Sequence, residues 1–289
     1  MSFRGANVLK LRFWGTRGSI PSPGPDTIKY GGNTTCLELR LEDNTLIVFD
    51  AGTGIRNLGS KIIEQNNDKH INLFLSHSHW DHIQGFPFFL PAYREEIKIK
   101  IYGCPPVYDK LKDILTDQME SRYFPVNFDE LKAEIEFEEI NHGQHPIGNA
   151  QFSFIENNHP GTAYGYKVIE NGRSLVFITD NELVPENGSA STWNDFVEFC
   201  RRADVLIHDS QYLDKELIRN TGFGHSSYEQ SVKLGLEAHA KHLIFFHHNP
   251  GRKDDEIDRI IEEMRKHLLP SNSEMIISAA KENDLIKIE

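Results

Sequence analysis

The densest concentration of metal-binding side chains in the 289-residue chain is HSHWDH at residues 77 to 82, directly after the apolar run INLFL. Four donors, His77, His79, Asp81 and His82, fall within six residues. A strand that ends in a tight turn can aim all four into one small volume, with Ser78 and Trp80 pointing elsewhere. Imidazole and carboxylate together suit zinc, manganese or iron better than calcium, which prefers oxygen alone. The alternative is a polar loop whose histidines only hydrogen-bond locally, a rare accident for four potential ligands placed after an apolar strand.

Three later residues stand just beyond apolar runs of their own: His159 in NNHPG, Asp180 in TDN and His247 after Leu243 to Phe246. A buried core histidine does not normally lie at a strand end. The simplest allocation gives one ion to His77, His79 and His159 and the other to Asp81, His82 and His247, with Asp180 bridging. Each ion then keeps room for a shared water, which two cations make acidic enough to be hydroxide near neutral pH. His248 competes with His247 for the last place; parity within the strand favours His247.

The elements that must position these residues are legible as periodicity. Val8 to Trp14, Thr34 to Leu41, Thr45 to Phe49, Ile71 to Leu75, Lys98 to Tyr102, Ile135 to Ile140, Gln151 to Glu156, Tyr164 to Ile169 and Leu175 to Ile178 read as strands. Glu42, Asp43 and Asn44 make a hairpin of the second and third. Helices are expected at Ile55 to Ile63, Val107 to Leu115, Trp193 to Cys200, Tyr228 to Ala238 and Asp254 to His267, and further strands at Val205 to Ile207, Leu243 to Phe246, Met275 to Ile277 and Leu285 to Ile288. The stretch from Arg17 to Asn33 is dense in Gly and Pro and reads as a long loop, a type that is more often functional than ornamental. Two sheets packed face to face with helices on the outer faces would bury this pattern. No composition break divides the chain, which reads as one domain over residues 1–289, and no short-period repeat is evident.

A chain of this length buries roughly 75% of its unfolded surface, so it needs no metal merely to fold. The 43 acidic residues exceed the 31 basic ones, giving a formal charge of -12. That surface repels a long polyanion, and an extended nucleic-acid groove is disfavoured. Cys36, Cys104 and Cys200 are far apart, which argues against a disulfide framework and a thiolate zinc site and suits a reducing cytosol. No run approaches the roughly 20 apolar residues of a membrane span, and the N-terminus has no secretory pattern. A soluble cytoplasmic protein is expected.

The HxHxDH signature resembles the metallo-beta-lactamase superfamily, over nearly the whole chain. The resemblance implies an αββα sandwich with a binuclear site at one edge, and it too favours His247. LRFWGTRGSIPSPGP, YGGNTTCLEL, DAGTG and HSHWDH together resemble the branch that contains ribonuclease Z, the phosphodiesterase of phosphonate breakdown and cyclic-nucleotide phosphodiesterases. ADVLIHDSQYLDKE and GHSSYEQSVKLGLEAHAKHLIFFHHNP extend the likeness. It implies that His225 assists the leaving group and that Asp209 orients it, alongside Asp81 as ligand and catalytic residue. The bland reading of His225 is a hydrogen-bonding residue ahead of a helix. The resemblance also places Asp50 of DAGTG beneath the metals as a support for their ligands, with Gly52 and Gly54 allowing a tight turn.

The chain departs from its relatives in instructive ways. Between Gly85 and His159 there is no long basic excursion of the kind ribonuclease Z uses to grip tRNA, and the cysteines do not supply the structural zinc of the phosphonate-pathway enzyme. No cysteine falls near a ligand motif, which disfavours lactam hydrolysis. DAGTG is no P-loop, and the segment around His142 has no nucleotide-binding glycine pattern. Arg122, Tyr123 and Phe124 could clamp a phosphate and stack a base or form a plain surface turn; Tyr30, Asn33, Ser19 and Thr16 are weaker pocket candidates.

The leading expectation is therefore a phosphodiesterase with two divalent ions, zinc first and manganese or iron also compatible, acting on a small or cyclic phosphodiester such as a cyclic nucleotide. A nuclease of the ribonuclease Z type, which would be a homodimer, is the runner-up. An ester or lactone hydrolase and a non-catalytic metal-binding or sensing protein complete the set.

Overall fold

A computed structural model of the protein describes residues 8–105, 107–140, 145–185 and 188–289; His142 lies outside them. The first sheet is built from β1 (Leu9–Gly15), β2 (Cys36–Arg40), β3 (Leu46–Phe49), β4 (His70–Phe74), β5 (Lys98–Gly103), β6 (Glu134–Glu139) and β14 (Leu285–Ile288), in the order β14-β1-β2-β3-β4-β5-β6. The second holds β7 (His145–Ile147), β8 (Ala150–Asn157), β9 (Ala163–Glu170), β10 (Arg173–Ile178), β11 (Val205–Asp209), β12 (His242–Phe246) and β13 (Ile276–Ala279), in the order β13-β12-β11-β10-β9-β8-β7.

The two sheets share one internal pattern. In the first, pairings are antiparallel from β14 to β3 and parallel from β3 to β6. In the second they are antiparallel from β7 to β10 and parallel from β10 to β13. Thus β3 and β10 are the strands at which the direction of pairing changes.

Burial follows the expected αββα layering. Between the sheets lies an aromatic core that includes Phe13, Phe49, Phe74, Phe152, Tyr166, Phe177 and Phe246. Phe74 stacks on Phe152 across the sheets, with ring centroids 4.8 Å apart. The outer face of the first sheet is covered by α1 (Ile55–Gln65) and α3 (Val107–Asp117), while α2 (Trp80–Ile83) is a single short turn. The outer face of the second packs against α4 (Trp193–Cys200), α6 (Tyr228–Glu237) and α7 (Asp254–His267), and α5 (Asp214–Leu217) is again one short turn.

Helix α7 shows why these segments are helical. Ile257, Ile260, Ile261 and Met264 recur at helical spacing and are buried. Asp254, Asp255 and Glu256 occupy its first turn and Arg265, Lys266 and His267 its last, matching the helix dipole at both ends. Every strand and helix expected from the sequence is present, with ends displaced by a residue or two; β7, α2 and α5 were not anticipated. All three are too short to show a period. Cys36, Cys104 and Cys200 are free and buried.

Candidate metal centre

The chain reverses after β4 through Leu75 and Ser76, and His77 follows at once. His79 then stands at the N-cap of α2, whose single turn presents Asp81 and His82. From the second sheet come His159 beyond β8, Asp180 beyond β10 and His247 beyond β12. Asp180 and His247 both have left-handed backbones, with φ of 49° and 59°. A non-glycine residue pays sterically for that conformation, and it persists where the surroundings impose it. The side chains of Asp180 and His247 themselves enter the cluster, Asp180 Oδ2 standing 3.3 Å from His247 Nε2.

The expected ligands converge. His77, His79 and His159 form one group, and Asp81, His82, Asp180 and His247 another, with ligand atoms inside each group within 4.8 Å of one another. His159 Nε2 is 2.9 Å from His79 Nδ1. Asp180 faces both groups: Oδ1 is 3.9 Å from Nε2 of His77 and of His159, and Oδ2 is 3.1 Å from His82 Nε2 and 3.3 Å from His247 Nε2. Asp81 Oδ2 lies 3.2 Å from His82 Nε2 and 3.1 Å from His247 Nε2. Donors held 2.0–2.2 Å from a tetrahedral ion stand roughly 3.4 Å apart, so both groups fit one ion each and Asp180 is placed to bridge.

Buried lone pairs make the same point. The Nε2 atoms of His77 and His82 are buried with no partner in hydrogen-bonding alignment, even though carboxylate oxygens approach His82. A buried imidazole nitrogen left without a partner costs free energy, and a divalent cation would satisfy it. Burial pushes the pKa of His77 and His79 down and that of His159 to about 4, so these rings are neutral and able to ligate. At His82 burial acts in the same direction but is overridden by Asp81, Asp180 and Asp50, which raise the pKa. Those carboxylates demand a positive charge at that point, and a metal ion meets the demand as a proton does. Asp81 and Asp180 are themselves held below the usual carboxylate range: burial opposes this, and His82 and His247 prevail.

A surrounding set of hydrogen bonds orients these side chains. Asp50, with φ of 60° and no exposure, accepts from His82 Nδ1 at 2.8 Å, from Ser76 N at 2.7 Å and from Ser76 Oγ at 2.8 Å. His77 Nδ1 is 3.0 Å from the same Ser76 Oγ. Because a carboxylate only accepts, His82 and His77 both carry their proton on Nδ1 and leave Nε2 free. His159 Nδ1 donates to Gly224 O at 3.0 Å. The backbone N–H of Ser19 donates to Asp81 Oδ2 at 2.7 Å, and Thr179 Oγ1 donates to Asp180 Oδ2 at 2.6 Å.

His225 closes the rim of the cluster. Its Nδ1 donates to Asp209 Oδ2 at 2.7 Å, and its ring stacks on His247 with centroids 5.0 Å apart. Burial alone would lower its pKa; Asp209, then Asp180 and Asp81, raise it to about 9. Around these residues lies a cavity of about 400 Å³ lined by Ser19, Trp80, Gln211, Tyr212 and Phe223 together with ligand side chains.

Several expectations need correction. Trp80 does not point away: it is 71% exposed and lines the cavity. Tyr30 is buried and donates to Asp258, and Asn33 hydrogen-bonds Glu282, so neither reaches the site. Thr16 donates to Tyr30 O, and Arg122, paired with Glu120 and lying over Tyr123, does not line the cavity. Gly52 and Gly54 serve close packing: a Cβ would stand 2.3 Å from Asp81 O at the first and 2.5 Å from the backbone of Trp14 at the second, while the left-handed residue of the loop is Asp50. His248 faces away from the cluster, with Nε2 2.9 Å from Ala280 O. Gln211, Tyr212 and Phe223 were missed because no spacing rule marks a polar or aromatic residue at a cavity wall.

Comparison with known proteins agrees with this geometry. The beta-lactamase superfamily domain matches residues 45–248. Ribonuclease Z of Picrophilus torridus is 27% identical, covering 98% of this chain and 100% of its own. Among solved structures, the metallo-beta-lactamase fold protein YhfI from Bacillus subtilis is similar at a TM-score of 0.72 and 17% identity, covering 97% of this chain and 99% of that one. A diphosphatase of the PhnP family is similar at a TM-score of 0.67 and 19% identity, covering 97% and 98%. At such identities the solved structures speak to the fold alone. Sequence match, sheet order and fold likeness agree, and the chain belongs to the metallo-beta-lactamase superfamily.

Proposed function

We propose that the protein is a metal-dependent hydrolase that cleaves a small or cyclic phosphodiester, with His77, His79 and His159 holding one divalent ion, Asp81, His82 and His247 a second, and Asp180 bridging. Zinc suits the donor set first; manganese and iron are also compatible. Two such ions would polarise the phosphoryl oxygens and acidify a water. The observation that carries the reading is His225, held by Asp209 at 2.7 Å beside the ligand cluster.

The chain's own groups have separable tasks. Asp209 takes the Nδ1 proton of His225 in a hydrogen bond and leaves Nε2 as the nitrogen free to act. With a pKa near 9 the ring is protonated at neutral pH, and it can give the Nε2 proton to a departing alkoxide. Asp81, fixed by the Ser19 N–H, presents one carboxylate oxygen toward His82 and His247. Among the described residues no helix is long and apolar enough to cross a membrane.

A second reading, endonuclease action of the ribonuclease Z type, is favoured by the likeness to the Picrophilus protein along nearly the whole chain. The charge of -12 weighs against it. The test is turnover of bis(p-nitrophenyl) phosphate and of 2',3'- and 3',5'-cyclic nucleotides by zinc- or manganese-loaded protein, beside a pre-tRNA and the His225→Ala variant. The expected result is metal-dependent hydrolysis of a small diester that falls roughly 100-fold or more in the variant. Cleavage of pre-tRNA alone would favour the nuclease, and no phosphodiester turnover with two bound ions would remove both readings.

A further inference from the structure

Two large aromatic side chains stand in solvent at the mouth of the metal cavity: Trp80, 71% exposed, and Phe223, 60% exposed. A single exposed aromatic is ordinary on a protein surface. Here both line the same cavity of about 400 Å³ as His79, Asp81 and His159, and Tyr212 lines it too, 6.0 Å from the ring of His225.

Each ring is carried by a backbone that the ligand cluster itself holds. Trp80 sits between His79 and Asp81 as the first residue of α2, and its carbonyl accepts from Gln84 N at 2.8 Å. Phe223 lies between Gly222 and Gly224, whose φ values of 83° and 81° belong to the left-handed region. The largely buried Glu182 accepts from Gly222 N at 2.9 Å and from Gly224 N at 3.3 Å, and Gly224 O accepts from His159 Nδ1 at 3.0 Å. The turn that exposes the Phe223 ring is therefore tied from beneath and joined to a ligand. Ordering an apolar ring outward in this way suits a surface that a flat partner covers.

Charge narrows that partner further. Among the described residues lining the cavity there is no lysine or arginine. One phosphate can be met by the ions and by His225, but a second or third phosphate would find acidic surroundings and no cation. We infer that Trp80 and Phe223 form an aromatic clamp for a flat ring, a nucleobase or an aryl group, on a phosphodiester that carries a single phosphate. This deepens the phosphodiesterase reading and rests on it for the reacting bond.

The test compares kcat/KM for adenosine 2',3'-cyclic phosphate with that for the same cyclic ribose phosphate lacking its base, in zinc-loaded wild type, Trp80→Ala, Phe223→Ala and Trp80→Phe. The preference for the base-bearing ester should fall roughly 5-fold or more in each alanine variant and be retained in Trp80→Phe. In parallel, adenosine 5'-monophosphate should quench tryptophan fluorescence saturably in wild type and not in Trp80→Phe. An unchanged preference in both alanine variants, or a decaadenylate cleaved with higher kcat/KM than the cyclic nucleotide, would overturn the clamp. If wild type turns over no phosphodiester, the phosphodiesterase reading falls and the quench decides alone: saturable and lost in Trp80→Phe, the clamp stands; absent, it falls.

Discussion

Replacing Asp50 with asparagine should strip metal from both halves of the centre, although Asp50 itself ligates nothing. The side chains are isosteric, and asparagine tolerates the left-handed backbone that Asp50 adopts at φ 60°, so the fold should survive. What changes is the direction of the hydrogen bonds. Asp50 accepts three: from Ser76 N, Ser76 Oγ and His82 Nδ1. The amide oxygen of an asparagine must stay on Ser76 N, which can only donate. The amide nitrogen then confronts His82 Nδ1 and Ser76 Oγ. His82 must move its proton to Nε2, the atom that faces Asp81 and Asp180, and an Nε2–H cannot bind a metal. Ser76 Oγ turns from donor to acceptor on that side, and its hydroxyl is released toward His77 Nδ1, 3.0 Å away, which favours the same wrong tautomer in His77.

One substitution thus disturbs a ligand of each ion. Loss of a carboxylate partner behind a metal-bound histidine weakens affinity roughly 10- to 100-fold, about 1.4 to 2.8 kcal/mol per ion. The assay is zinc content after equilibration in metal-buffered solution, followed by competition with a chromogenic chelator, with circular dichroism to establish that the variant is folded. Two zinc ions per chain, removed by chelator no more easily than from wild type, would refute the tautomer argument.

Other perturbations read other parts of the site. Gly224→Ala should cost about 1–3 kcal/mol for its left-handed backbone, and because its Cβ would stand 2.1 Å from His159 Nδ1, zinc content should fall with the melting temperature. Asp209→Asn removes the charge that leads in raising the His225 pKa to about 9, so the alkaline limb of the kcat/KM profile should move toward the ordinary histidine range near 6.5. An unmoved limb would take His225 out of the role of acid. The fully buried His208 has its pKa pushed by burial from 6.5 to about 4. The unfolded chain takes up that proton as pH drops through 6.5 while the folded chain resists, so stability is complete above 6.5 and declines by about 3 kcal/mol down to pH 4. Urea unfolding of His208→Gln at pH 7 and pH 4 should show a correspondingly flatter dependence on pH.

The convergence of the candidate ligands was legible because these residues follow apolar runs long enough to read as strands, whose ends come together at one edge of the two-sheet sandwich. HSHWDH declares itself by composition, whereas His159, Asp180 and His247 gain meaning only together with it. The support from Asp50 was expected through family likeness, yet its link to His77 through Ser76 needed coordinates, since a serine beside a histidine cluster has no signature. Trp80 was misread because a four-residue helix does not set a face by periodicity. The buttress from Glu182 to the glycines at 222 and 224 spans forty residues of sequence and depends on backbone N–H directions that no side-chain pattern encodes.

The two sheets repeat one plan, with antiparallel pairing giving way to parallel at β3 and at β10, and each of these strands runs into an aspartate with a left-handed backbone, Asp50 in one and Asp180 in the other. The same local device steers an imidazole in one half and, in the other, aims a carboxylate into the histidine cluster where the ions would sit. Four of the side chains proposed to hold the ions come from the first half of this plan and three from the second, so neither half alone would offer a complete shell to either ion. Occupancy of the centre is in that sense a readout of docking between halves: binding free energy that requires both adds to whatever holds the sheets together. On chelation, amide exchange should quicken first at residues 76–82, 157–162 and 179–182, where the two halves meet, before it reaches the aromatic layer behind them.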